Sequence, residues 1–127
     1  MIEAHEGQQA ESQAERADVK AFGKTLDQDH TKSYQELTEL ASKTGISIPK
    51  GINSAKDPDI AHLSRLKGDR FDRQFASDEI SAHRHAIVIY KREAKQGHNT
   101  EVKAYAAGMV PILEKHLQEA EALVKHT

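Results

Sequence analysis

Apolar residues recur every three or four positions along most of this chain, a pattern that predicts amphipathic α-helices. The longest such stretch runs from Asp69 to Gln96, and Gly97 is predicted to end it. One face of this predicted helix is made mainly of apolar residues and carries one histidine. The positions on the face are Asp72, Ala76, Ile80, His83, Ile87, Tyr90 and Ala94. The pattern therefore predicts a histidine in the protein interior.

Two further stretches repeat this arrangement. The pattern predicts one helix over residues 18–43, ended by Gly45, and another from Thr100 to about Lys125. Each carries one histidine, His30 or His116, midway along its apolar face. The inward positions are Val19, Phe22, Leu26, His30, Ser33, Leu37 and Leu40 in the first, and Val102, Ala106, Met109, Leu113, His116, Ala120 and Leu123 in the second.

Residues 1–16 predict a polar helix whose inward face consists of small residues. They are Gly7, Ala10, Ala14 and Ala17. Such a face permits close packing but buries little apolar area, so we expect this helix to be the least stable element. The sequence allows two interpretations of where this helix ends. The chain either breaks near residues 15–18, with Asp18 as an N-cap, or continues as one helix to Lys43.

Residues 44–57 form the one long connection, whose isoleucines are expected to cover an end of the molecule. They are Ile46, Ile48 and Ile52. Asp57 and Pro58 predict the N-cap and the first residue of a short helix over residues 58–67. Asn99 is predicted to cap the last helix.

These elements are typical of an all-α antiparallel four-helix bundle, here with a short extra helix before the third long helix. A chain of 127 residues fits a single domain spanning residues 1–127. Cysteine is absent, which excludes disulfide bonds and thiolate metal ligands.

The formal net charge of −2 comes from bases scattered among acids, so no basic stripe is available for nucleic acid. The longest apolar run, Ala86 to Tyr90, is too short to span a membrane. Met1-Ile2-Glu3 is followed at once by polar residues, so no signal peptide is predicted. We therefore expect either a cytoplasmic protein or the mature form of an exported one.

The helix lengths predict that the inward histidines meet. His83 lies 15 residues before His98 and His116 lies 18 residues after it, a mismatch of about 4.5 Å along the helix axis. His30 is central in its own helix. Each histidine also has a carboxylate one turn away, and such a group commonly orients a metal-binding imidazole. The predicted pairs are Asp27 with His30, Glu79 with His83, and Glu119 with His116.

Three neutral imidazoles with a carboxylate or water suit one zinc, copper or iron ion. Asp72 is on the same inward face as His83, three turns earlier, and Glu79 is the acid one turn before His83. The alternative is that the histidines are core residues, hydrogen-bonded to carboxylates, that fix the helix register. The chain has no Glu-x-x-His pair, which argues against a di-iron centre. No phosphate-binding loop or nucleophile motif occurs, so no catalytic residue is assigned.

Several short motifs follow one another along nearly the whole chain. They are Val19 to Gly23, Asp29-His30-Thr31, Leu40-Ala41 with Gly45 and Pro49, Leu66 with Gly68, Phe71-Asp72-Arg73 with Phe75, His83, Val110 to Leu113, and His116-Leu117 with Ala120. With these motifs the chain resembles the DUF4142 family of uncharacterised bacterial ferritin-like bundles. The chain departs from the family in a shorter first helix and in Phe75, where a tyrosine is often found.

The resemblance implies a ferritin-like bundle and an exported, periplasmic or otherwise extracytoplasmic protein. It also places His30, His83 and His116 at motif positions, with Asp29 and Asp72 beside them. The first hypothesis is therefore a metal carrier, buffer or sensor with these histidines as ligands. Asp29, Asp72 and Glu79 are further ligands or supporting groups.

The second hypothesis is a non-catalytic envelope or stress-related interaction module in which the histidines are structural. A metalloenzyme is the least favoured hypothesis. The first helix is short and its inward face is made of small residues, so it is expected to open easily and to permit a homodimer or a domain swap.

Overall fold

The computed structural model describes residues 2–45 and 58–125, with side chains at 5–43, 45 and 61–125. Within these residues the chain is all-helical, as predicted, and has no strand. The helices are α1 (Ile2–Gln13), α2 (Ala17–Thr44), α3 (Pro58–Ser64), α4 (Gly68–Gln96) and α5 (Thr100–Lys125). Among them, no helix has both the length and the apolar character that a membrane crossing requires. The predicted roles of Ile46, Ile48, Ile52 and Asp57 lie outside the described residues.

The first two helices are separate. Arg16 precedes α2 with an extended backbone (φ −78°, ψ 138°), so the reading of one continuous helix to Lys43 is wrong. The predicted N-cap is also wrong. Asp18 lies in the first turn of α2, where its carboxylate pairs with the Arg16 guanidinium. The backbone N–H groups at this junction are bonded instead by an acid from another helix, described below.

Other helix ends follow the sequence signals. Gly45 ends α2 in the left-handed conformation, with φ 76°, as predicted. Gly97 ends α4 with an extended backbone, and its N–H donates to the Glu93 carbonyl at 2.9 Å. Asn99 caps α5, because its side-chain oxygen accepts hydrogen bonds from two backbone N–H groups of the first turn at 2.9 and 3.0 Å.

The helices enclose a common interior. α1 packs along α2 and α4 packs along α5, while α2 also contacts α5 and α1 also contacts α4. Helices α1 and α5 therefore each lie against both α2 and α4. Side chains from α2 and α4 meet in the space between them, as shown by Phe22 and Phe75, whose ring centroids are 6.1 Å apart.

The small-residue face of α1 lies in close contact with α2. A Cβ atom added at Gly7 would lie 2.8 Å from the backbone nitrogen of Asp27, and one added at Gly23 would lie 2.7 Å from the Gly7 carbonyl oxygen. Neither position has room for a side chain. The predicted inward residues Ala10 and Ala14 are buried beside this contact, whereas Ala17 is exposed.

Two apolar clusters line the interior along α4 and α5. One contains the phenylalanines Phe71 and Phe75, with residues of α1, α2, α3 and α5 around them. The other is centred on Ile87, Met109 and Leu113. On α4, His83 lies between the two clusters, and His116 does so on α5. The fold thus places polar side chains between two layers of apolar ones.

Candidate metal centre

Helices α2, α4 and α5 each bring one histidine to the same place. One ring nitrogen of His30, one of His83 and one of His116 all lie within 4.8 Å of one another. The ring centroids are 5.1 Å apart for His30 and His116, 5.5 Å for His83 and His116, and 5.8 Å for His30 and His83. The predicted meeting of the three rings is therefore confirmed.

The cluster is shielded from solvent. His83 and His116 are 1% and 0% exposed, and His30 is half-buried. The Phe22 ring packs edge-on against the His116 ring at 6.4 Å and closes the cluster on the side of the phenylalanines. Exclusion of water in this way strengthens any electrostatic interaction made at the ring nitrogens.

The proton on the His83 ring has a defined position. Its Nδ1 lies 2.8 Å from the backbone carbonyl oxygen of Glu79 and 3.4 Å from the Glu79 Oε2 atom. Because a carbonyl oxygen only accepts, Nδ1 carries the hydrogen and Nε2 carries the lone pair. The predicted pairing of Glu79 with His83 is found, although the shorter contact is to the backbone of Glu79.

The partner of His116 is not the predicted one. Its Nε2 lies 2.8 Å from Oδ2 of Asp29, which is 43% exposed and belongs to α2. The predicted partner, Glu119, instead lines a surface groove between α2 and α5. The reason is that Nε2 faces the neighbouring helix rather than the next turn of its own. With Nε2 donating to Asp29, the lone pair is on Nδ1, a buried atom with no hydrogen-bond partner in the described part of the chain.

Asp27, which the sequence paired with His30, contacts α1 and its own helix. Its Oδ1 accepts hydrogen bonds from the side chains of Gln8, at 3.2 Å, and Thr31, at 3.3 Å. The carboxylate therefore helps to hold α1 against α2 near the histidines.

Asp72 is not brought to the histidine cluster. It is 1% exposed, and its two oxygens accept the backbone N–H groups of Glu15 at 3.1 Å and Arg16 at 2.9 Å. These are the N–H groups of the junction between α1 and α2. Asp72 precedes His83 by 11 residues, which is about 16 Å of helix axis. Asp72 therefore caps the junction of α1 and α2 from α4. It is too far from the histidine cluster to bind the same ion as the three rings.

A family model described as "Domain of unknown function (DUF4142)" matches residues 1–123 of the chain. The chain belongs to the DUF4142 family. The resemblance seen in the sequence motifs is thereby confirmed. No curated protein and no solved structure matches this DUF4142 protein. Its family description names no activity, so function has to be argued from the residues at the site.

Sequence reasoning missed two buried polar residues on α1 of this DUF4142 protein. Glu6 is 3% exposed and Gln9 is also buried, whereas Gln8, Glu11 and Ser12 of the same helix are exposed. The signal was present, because Glu6 and Gln9 flank the small residues Gly7 and Ala10 on the inward face. The inward face of α1 therefore contains polar residues as well as the small ones.

The interior of this DUF4142 protein is rich in acids. Among the described residues, the buried acidic side chains are those of Glu6, Asp72 and Glu79, and no lysine or arginine is buried. Asp72 is stabilised by the N–H groups at the helix junction. Glu6 lies on α1 and Glu79 on α4, and these two helices contact each other. A buried carboxylate is costly unless positive charge or hydrogen-bond donors offset it.

Proposed function

We propose that this protein binds one transition-metal ion through His30, His83 and His116. The observation that carries the proposal is the convergence of three ring nitrogens, one from each of three helices, to within 4.8 Å of one another. Two of the rings have a hydrogen-bonded second nitrogen, to the Glu79 carbonyl and to Asp29. Metal-binding histidines commonly have this arrangement, which directs the remaining lone pair at the ion.

The spacing is compatible with coordination after small side-chain movements. In a tetrahedral site with metal–nitrogen bonds of about 2.05 Å, the ligand nitrogens lie about 3.3 Å apart. The observed limit of 4.8 Å is therefore reduced to this value when the rings move inward by about 1 Å or less. The ligand set suits zinc, copper or iron, because neutral imidazole binds all three.

The charge distribution supports the same proposal. Buried Glu6 and Glu79 are accompanied by no buried lysine or arginine in the described residues. A divalent cation at the three histidines adds positive charge beside Glu79, whose Oε2 atom lies 3.4 Å from His83 Nδ1.

We further propose that the four longer packed helices form a ferritin-like four-helix bundle. The contacts of α1 and α5 with both α2 and α4 support it. The extracytoplasmic location implied by the family resemblance is part of the same proposal. In this setting the protein acts as a metal carrier, buffer or sensor. Two further statements remain predictions: the protein binds no nucleic acid, and it forms a homodimer or a domain swap.

One observation favours the alternative, an interaction module with structural histidines. Val88 and Ile89 are adjacent on α4 and are 56% and 44% exposed. Exposed apolar side chains of this kind are found at protein-binding surfaces, but single examples are also common without one.

Elemental analysis of untagged protein before and after dialysis against a chelator tests the metal proposal. We expect about one zinc, copper or iron ion per chain, or uptake of one ion when metal is added to the stripped protein. His30→Ala, His83→Ala and His116→Ala should each abolish stoichiometric uptake. His85→Ala is the matched control, because His85 is on α4, two residues from His83, and is exposed. Uptake that is unchanged in all three variants, or absent from the unmodified protein, would refute the proposal.

A further inference from the structure

We propose that a surface pocket beside α3 binds a phosphate group through Arg70 and Arg73. The pocket lies where α3 meets the beginning of α4, and its volume is about 340 Å³. The side chains that line it are those of His62, Leu66, Arg70, Arg73 and Gln74. Ligand pockets in proteins start at about 300 Å³, so this one has room for a phosphate group and part of the molecule that carries it.

Exposed bases outnumber exposed acids around this pocket. Between residues 62 and 74 the bases are Arg65, Lys67, Arg70 and Arg73, and the acids are Asp69 and Asp72. The four bases and Asp69 are exposed, whereas Asp72 is buried and caps the junction of α1 and α2. Four exposed bases and one exposed acid leave an exposed charge of +3 in a chain whose formal net charge is −2. An anion is therefore attracted to this end of the molecule.

The two arginines of the pocket have nitrogens available to a ligand. The ion pair of Arg73 joins its Nε to Oδ2 of Asp69 at 3.0 Å, and leaves the two terminal nitrogens of the guanidinium for other acceptors. The side chain of Arg70 makes no hydrogen bond or ion pair within the described part of the chain. Residues three apart on a helix are neighbours, so the two positive charges repel each other unless an anion lies between them.

The number of donors favours phosphate over a single carboxylate. One guanidinium donates two parallel hydrogen bonds, which already match both oxygens of a carboxylate. A phosphate group has at least one further oxygen, so it can accept from two arginines at once. His62 adds a ring N–H to the same pocket, and the half-buried Leu66 offers apolar surface to the rest of the ligand.

The pocket is distinct from the proposed metal centre. Arg70 precedes His83 by 13 residues on α4, which is about 20 Å of helix axis. The phosphate group can belong to a soluble phosphate compound or to a lipid headgroup, because both present the same oxygens to the arginines. Loss of the metal site would leave the pocket intact, so the two proposals can fail separately.

The test compares Arg70→Gln and Arg73→Gln with Arg92→Gln in the full chain. Arg92 is exposed on the same helix but does not line the pocket. Binding of inorganic phosphate is measured by NMR titration in metal-free buffer, with chloride keeping the ionic strength constant. We expect each pocket variant to weaken phosphate binding by about threefold or more, and Arg92→Gln to leave it unchanged.

Two further comparisons use the same titration. Arg70→Lys keeps the charge but loses the planar fork, so its affinity for phosphate should lie between those of the unmodified protein and Arg70→Gln. Acetate should bind the unmodified protein more weakly than phosphate. Acetate binding as tight as that of phosphate would overturn the inference.

Vesicles containing phosphatidylglycerol, with phosphatidylcholine vesicles as the control, distinguish the two sources of the phosphate group. Cosedimentation with the anionic vesicles that is lost in Arg70→Gln and kept in Arg92→Gln would support a lipid headgroup. Phosphate binding that depends on Arg70, without cosedimentation, would support a soluble phosphate compound. Absence of both kinds of binding, or an equal loss in Arg70→Gln and Arg92→Gln, would overturn the inference and leave the metal proposal untouched.

Discussion

The side chains of Asp29 on α2 and His116 on α5 are joined by a hydrogen bond of 2.8 Å between Oδ2 and Nε2. The two residues are 87 positions apart in the chain. The bond connects two neighbouring helices and also fixes which nitrogen of a fully buried ring carries the proton. One contact therefore serves both the packing of α2 on α5 and the chemistry of the histidine cluster.

We expect Asp29→Asn to weaken metal binding by about 10- to 100-fold while the fold is retained. An asparagine can still form a hydrogen bond, but it lacks the negative charge that makes the ring a better ligand. Isothermal titration with zinc measures the change. Glu39→Gln, which neutralises an exposed acid on the same helix, is the control. Equal affinities of the two variants would show that Asp29 does not act through His116.

We expect Asp72→Ala to lower the free energy of unfolding by about 1–3 kcal/mol, because the backbone N–H groups of Glu15 and Arg16 lose their acceptor. Urea denaturation in the presence of chelator measures this loss. Hydrogen exchange should become faster around the junction of α1 and α2. The control is Asp69→Ala, because Asp69 forms an exposed ion pair with Arg73, which contributes little to stability. A loss confined to metal binding, with stability unchanged, would contradict the role of Asp72 as a cap.

Glycine substitutions should have opposite effects at two positions. Gly7→Ala introduces a methyl group where no space exists, so we expect a loss of about 1–3 kcal/mol. Gly108→Ala places a methyl group in α5 where no atom lies within 4 Å, and we expect a gain of about 0.5–1 kcal/mol from higher helix propensity. Thermal and urea denaturation of both variants test the pair. A stabilising Gly7→Ala would show that α1 is not held in the close contact with α2 described above.

The phenol of Tyr105 predicts sensitivity to alkaline pH. Its OH donates to the Ser33 carbonyl at 3.1 Å, and burial, followed by the charges of Tyr90 and Glu36, raises its pKa from 10.0 to about 12. Because this pKa is higher in the folded state, the protonated phenol stabilises the folded protein. Its contribution to the free energy of unfolding is fully present below pH 10 and is lost as the pH rises toward 12. We expect Tyr105→Phe to reduce this fall, measured as the urea midpoint between pH 9 and 11. An identical pH dependence in the variant would refute the assignment.

The sequence predicted the helices and the meeting of the histidines because both follow from local rules. Helical periodicity determines the inward face, and the nearly equal distances of His83 and His116 from the connection between α4 and α5 bring those two rings to one height. Gly45 ends α2 because a residue without a side chain readily adopts the left-handed conformation, and Asn99 caps α5 through its side-chain oxygen. These features need no knowledge of how distant helices pack.

The errors and omissions concern contacts between helices. Asp72 lies on the inward face as predicted, but the backbone groups at the junction of α1 and α2 determine its role, and periodicity does not reveal them. Asp29 reaches His116 from a neighbouring helix, whereas sequence spacing suggested Glu119. Glu6 was missed because the small residues beside it allow α1 to approach closely, and that approach buries the acid as well.

Asp29 and His30 are consecutive residues of α2, and this adjacency determines how the cluster comes apart. One of them orients the His116 ring, and the other provides a ring of its own. A rotation or slide of α2 therefore displaces a member of the cluster and the support of another in the same movement. Opening at this point is therefore expected to withdraw the His30 ring and release the His116 ring from Asp29 in one step rather than in two.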